Sequence, residues 1–158
     1  MKKISSTQPI KSNLKQLSIL LADDDTDDCN FFKEALEKLQ LSAHLTTVHD
    51  GDGLMKLLTN EANELPHVLF LDINMPRKNG FECLSEIKQN EKLKDLPVVI
   101  FSTSSSKDNI NRVFKIGAHV YIRKPGDFSQ LMQVIHHALP IAAEKIFSKN
   151  QLKYILNA

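Results

Sequence analysis

At 158 residues, 42% of them hydrophobic, the chain can bury one sizeable core but is short for two. A net charge of +1 lacks the basic excess that a nucleic-acid partner calls for, and no stretch approaches the roughly 18 apolar residues of a membrane span. The two cysteines, Cys29 and Cys83, have neither metal-ligand nor redox-pair spacing and read as reduced thiols of a soluble, cytoplasmic protein.

Residues 1–15, MKKISSTQPIKSNLK, are polar and aperiodic and read as a flexible tail. The first apolar run, LSILLA (17–22), reads as a strand. Five aspartates follow in six positions: Asp23, Asp24, Asp25, Asp27 and Asp28. Helix one comes next, with Cys29, Phe32, Ala35, Leu36 and Leu39 on one stripe. HLTTV (44–48) is strand two, and DGDG (50–53) breaks it from a second helix marked by Leu54, Leu57 and Leu58. HVLFLD (67–72) and PVVIFS (97–102) are strands three and four, apolar throughout, as strands buried on both faces are. Phe81, Leu84 and Ile87 mark helix three. Ile110, Val113 and Phe114 mark helix four, which Gly117 is placed to end. HVYIRK (119–124) is strand five, followed by helix five with Phe128, Leu131, Met132, Ile135 and Leu139. From Pro140 onward, residues 140–158 form a C-terminal extension with helical content.

Five strand–helix pairs in strict alternation imply an α/β fold over residues 16–139, a doubly wound five-stranded parallel sheet with right-handed crossovers. Such a sheet collects its functional groups at the carboxyl ends of the strands. Those ends carry Asp23 and Asp24 (strand one), Asp72 (strand three), Ser102 and Thr103 (strand four) and Lys124 (strand five). Three carboxylates against one ammonium leave an excess of negative charge that a divalent cation would relieve, and carboxylate oxygens suit hard Mg²⁺, with Mn²⁺ as a substitute. Metal, lysine and hydroxyl together match the oxygens of a phosphoryl group in transfer. A carboxylate can accept that group as an acyl phosphate; Asp72, alone on the central strand, is the natural acceptor, and the adjacent Asp23 and Asp24 are the metal-holding pair.

ILLADDD, VLFLDINMPRKNG, PVVIFSTS and VYIRKP, taken in order, resemble the receiver domain of two-component response regulators. Separations of 49, 30 and 22 residues between Asp23, Asp72, Ser102 and Lys124 fit, and the resemblance spans Leu17 to Leu139. It implies a flavodoxin-like (βα)5 receiver fold with strand order 2-1-3-4-5. It further implies Asp72 as phosphoacceptor and as a metal ligand, Asp23 and Asp24 positioning Mg²⁺ with the backbone carbonyl of Asn74, and Ser102 as the switch hydroxyl. Lys124 becomes the phosphate-pairing lysine, before a Lys124–Pro125 bond that is usually cis, and Tyr121 the aromatic switch residue. Asn74 and Ser104 stand where the family tunes phosphoryl lifetime. Two departures stand out: serine replaces the commoner threonine at 102, and Thr103 crowds the entrance where a small residue is usual.

The same residues admit plainer readings. Asp25 or Thr26 can cap helix one, and Asp27 and Asp28 suit its positive end as solvated charges. An EF-hand is excluded because Asp28 stands where the turn glycine belongs and a strand precedes the loop. His136 and His137, being adjacent, do not share a helix face.

The expectation is therefore a single-domain response regulator, a signalling switch rather than a turnover enzyme. A partner histidine kinase or histidine phosphotransfer protein supplies the phosphoryl group, and Tyr121 turns inward in response. The face of helix four, strand five and helix five then binds a downstream protein target or a second copy of the chain. A phosphorylation-independent binding module is the competing reading.

Overall fold

The computed structural model describes residues 16–144 and the strand at 154–156. Five strands, β1 (Leu17–Ala22), β2 (Ala43–Val48), β3 (Val68–Leu71), β4 (Val98–Ser102) and β5 (Val120–Arg123), alternate with five helices. These are α1 (Thr26–Lys38), α2 (Gly51–Thr59), α3 (Gly80–Gln89), α4 (Lys107–Ile116) and α5 (Phe128–Glu144). All strand pairings are parallel, and the expected order 2-1-3-4-5 holds.

The strand period of two divides the apolar residues between two layers. Ile19, Leu21, Phe70, Phe101 and Ile122 face one way, against α1 and α5. Leu20, Leu69, Ile100 and Tyr121 face the other, against α2, α3 and α4. Both faces being covered explains why β3 and β4 are uniformly buried and read as unbroken apolar runs. On the first face Phe32, Phe70 and Phe101 meet edge-on, with centroids 4.9 to 6.2 Å apart, the arrangement the ring quadrupole favours.

Helix starts are locally encoded. Asp25, not Thr26, caps α1 by accepting from the Asp28 amide at 3.1 Å. Asp50 caps α2, and Asn79 with Glu82 forms a full capping box on α3.

Two features belong to the C-terminal extension. Helix α5 does not stop at Leu139 but runs through Pro140 to Glu144. An interior proline forfeits a helical hydrogen bond at about 3 kcal/mol; burial of Ala138, Leu139 and Ala142 on either side of it opposes that loss. The second is a sixth strand. Residues of the extension form β6 (Tyr154–Leu156), which pairs in parallel with β5, Tyr121 opposite Ile155. The edge of β5 is therefore covered.

Candidate functional site

The chain reverses direction across the sheet between β1 and β3, opening a crevice at their carboxyl ends. Each charged residue there is fixed by a backbone bond that continues the ladder one step beyond its strand. The Asp23 amide donates to Val48 O at 3.0 Å, the Asp72 amide to Ala22 O at 3.0 Å, and the Lys124 amide to Ser102 O at 2.8 Å. Behind Asp72 the start of α3 presses close. A Cβ on Gly80 would sit 2.4 Å from the Asp72 carbonyl oxygen, so only glycine permits this approach.

Lys124 Nζ lies at the centre of the cluster. It donates to Asp23 Oδ2 at 2.7 Å, Asp28 Oδ2 at 2.9 Å and Asp72 Oδ2 at 3.4 Å. Asp23 and Asp72 are buried. Burial pushes the Asp72 carboxyl up to about 6; Lys124 opposes that rise and Asp23 adds to it. Burial works against the Lys124 charge, but its bonds to Asp23 and Asp28 outweigh this and hold it above the ordinary lysine range.

Oxygens of Asp23, Asp24 and Asp72 lie within 4.8 Å of one another. The donor set is entirely carboxylate oxygen, two of the three groups are buried, and one ammonium cannot neutralise them. That chemistry fits a hard divalent cation. Asn74 turns its amide onto Asp72 Oδ1 at 3.2 Å.

The expected site residues thus fall into two connected groups. Asp23, Asp24, Asp72 and Lys124 come together. Ser102 is fully buried and meets that cluster only through its carbonyl, which accepts from the Lys124 amide; its hydroxyl accepts instead from the Ser104 amide at 3.2 Å. Tyr121 donates its hydroxyl to the Ser104 carbonyl at 2.7 Å, so Ser104 joins the two. Tyr121 is fully buried: its own strand points the ring into the α2–α3–α4 layer. Tyr121→Phe, which deletes the bond to Ser104, is expected to lower stability by about 1 kcal/mol in urea unfolding; an unchanged midpoint would mean that water replaces the hydroxyl at no loss.

Two expectations are corrected. The Lys124–Pro125 bond is trans, since no cis peptide occurs among the described residues; trans is the intrinsically favoured form of an X–Pro bond. Asp28 is not merely a solvated first-turn charge but a direct partner of Lys124. A signal for it exists in the sequence. Phe32, Ala35 and Leu36 lie four, seven and eight residues further on, so Asp28 continues the buried stripe of α1. Asp27 shares its stripe with the half-exposed Phe31.

Beside Lys124 a groove of about 400 Å³ opens between α1 and α5, lined by Asp28, Phe31, Phe101, Pro125 and Phe128. It opens the Lys124 and Asp28 side of the cluster to solvent.

Comparison with known proteins agrees with this geometry. The family model described as the response regulator receiver domain matches residues 19–136. The chain is 31% identical over 121 residues to Response regulator Rcp1 of Synechocystis sp., covering 74% of this chain and 82% of that one. It is 30% identical to Two-component response regulator ORR5 of Oryza sativa subsp. japonica, covering 77% and 87%. Among solved structures, the phosphorylated cyanobacterial phytochrome response regulator RcpA superposes with a TM-score of 0.74 at 35% identity, covering 80% of this chain and 93% of that one. The Mn²⁺-bound form of Rcp1 gives 0.73 at 29% identity, covering 82% and 96%.

Proposed function

The chain belongs to the response regulator receiver family, and from that premise we propose that it is a Mg²⁺-dependent switch operated by phosphorylation of Asp72. One observation carries the reading: a buried carboxylate at the end of the central strand shares a lysine with a second buried carboxylate. No core requires such a group, and burying it is costly unless it is used.

Asp72 is the nucleophile. With its carboxyl at about 6, most of it is ionised at neutral pH. A phosphoryl donor on a histidine kinase or histidine phosphotransfer protein approaches Asp72 at the crevice beyond the carboxyl ends of β1 and β3. One Asp72 oxygen attacks phosphorus, the P–N bond to the donor histidine breaks, and the histidine leaves with its electron pair and takes a proton. Asp23, Asp24, Asp72 and the Asn74 carbonyl would hold the cation, which would supply charge neutralisation to the phosphoryl oxygens. Lys124 meets a second face of the group as a mobile point charge.

Ser102 connects site and surface. When its hydroxyl turns to a phosphoryl oxygen, the Ser104 amide loses its acceptor, and the carbonyl that Tyr121 holds is free to move. The two arrangements then differ at the start of α4, which gives a partner a basis for discrimination. Because β6 already occupies the edge of β5, a downstream target or second copy meets α4, α5 and β6 rather than an open strand.

Incubation with Mg²⁺ and a small phosphodonor such as acetyl phosphate tests the reading. Intact mass is expected to rise by one phosphoryl group, and hydroxylamine, which attacks the acyl carbon of an acyl phosphate, to expel that group as phosphate and leave a hydroxamate on Asp72. No gain, or a gain that resists hydroxylamine, overturns it.

A further inference from the structure

Asp28 touches none of the chemistry proposed above, yet it takes one of the three bonds of the Lys124 ammonium. It is not a member of the metal-competent group of Asp23, Asp24 and Asp72, so it acts on that group through the shared lysine and through its charge, not as a ligand. Its place is fixed: it sits in the first turn of α1, with its amide tied to the Asp25 cap at 3.1 Å. The ammonium is drawn toward it, 2.9 Å from Asp28 against 3.4 Å from Asp72.

We infer that Asp28 is a positioning residue that diverts Lys124 from the phosphoacceptor, strengthening cation binding and opposing phosphoryl retention. This rests on the reading of Asp72 as phosphoacceptor. The two effects have opposite signs for one reason. By sharing the ammonium, Asp28 leaves Asp23 and Asp72 less neutralised, which favours a cation between them. Once Asp72 carries a phosphoryl group, Asp28 competes with its oxygens for the same ammonium. It also places a negative charge within about 6 Å of the Asp72 carboxylate, since both bond one nitrogen. At that separation, with Asp28 partly open to water, the repulsion is worth on the order of a tenfold change in binding.

Asp28→Asn keeps the shape and removes the charge. Titration calorimetry should show Mg²⁺ affinity falling severalfold. At saturating Mg²⁺ the affinity for beryllium fluoride, a phosphoryl mimic, should rise on the order of tenfold. Asp28→Glu, which restores the charge, should return both toward wild type. Asp27→Asn removes the same formal charge from an exposed neighbour and should alter neither. A purely structural role would move both affinities down or leave both unchanged, and either result overturns the inference. If Asp27→Asn reproduces the effect, net charge and not the Lys124 contact is responsible, and the inference also falls. Wild-type protein that binds no mimic at all overturns the phosphoacceptor reading itself. Wild-type binding with no opposite-signed response in Asp28→Asn overturns only the role of Asp28.

Discussion

Asp72→Asn is expected to abolish hydroxylamine-sensitive phosphoryl uptake and, at the same time, to make the metal-free protein more stable at neutral pH. The first effect follows from chemistry: an amide oxygen cannot supply the charge or the leaving stability of an acyl phosphate. The second follows from the environment. Burial, with Asp23 adding to it, raises the Asp72 carboxyl from 3.8 to about 6 in the fold, although Lys124 works the other way. The folded state therefore binds this proton more tightly than the unfolded chain does. Its ionised carboxylate destabilises the fold fully above about pH 6, and that penalty disappears as pH falls below about 4. Two pH units correspond to roughly 3 kcal/mol; relaxation of the surrounding groups makes about 1 to 3 kcal/mol the expected gain. The amide retains an acceptor for the Asn74 N–H, and Lys124 keeps Asp23 and Asp28. Urea unfolding in EDTA at pH 7.5 and pH 4 checks both halves. A variant no more stable than wild type at pH 7.5, or a difference that persists undiminished at pH 4, contradicts the account.

That a residue should weaken the fold it sits in bears on what could be read from sequence. The sheet was legible because both of its faces are buried: β3 and β4 could not be apolar throughout in any one-sided arrangement. Asp23, Asp24, Asp72 and Lys124 were legible because each follows such a run, where strand-end geometry leaves them no other place to converge. Asp28 is different in kind. Five aspartates in six positions look alike as composition, and capping accounts for any of them. Only the helical phase it shares with Phe32 and Ala35, rather than with exposed Phe31, separates it from Asp27. The inward state of Tyr121 was hidden for another reason: alternation gives the face a strand residue points to, not the partner its hydroxyl finds at Ser104. β6 was hidden more deeply still. Three residues, Tyr154–Leu156, are too few to carry a period, and a strand that completes an edge is specified by the edge it joins. Pro140 signalled a helix end on local grounds, and tertiary burial of its neighbours overrode it.

The largest loss of stability is expected from Lys124→Met. Its ammonium is the shared counter-charge of Asp23, Asp28 and Asp72, and the first and last of these are buried. Removing one partner from a buried ionic cluster leaves the others uncompensated and typically costs about 3 to 5 kcal/mol. Methionine fills the space of the lysine stem and can still pack near Phe101, whose ring centre lies 5.5 Å from Nζ. The Lys124 amide bond to Ser102 is also unaffected, so the loss reports charge rather than a cavity. Two signatures distinguish this from general damage. Deprived of the ammonium, the carboxylates take up protons more readily, so the variant should recover toward wild type as pH falls from 8 to 5. A divalent cation should also become a stronger stabiliser than in wild type, because it meets a site with one more uncancelled negative charge. Denaturant unfolding at both pH values, with EDTA or with millimolar Mg²⁺, measures each contrast. A loss under about 1 kcal/mol in EDTA would show that the carboxylates are adequately solvated without the lysine. A Mg²⁺ effect no larger than in wild type would show that Lys124 does not compete with the cation for Asp23 and Asp72, and both the diverting role of Asp28 and the electrostatic logic of the site would have to be rebuilt.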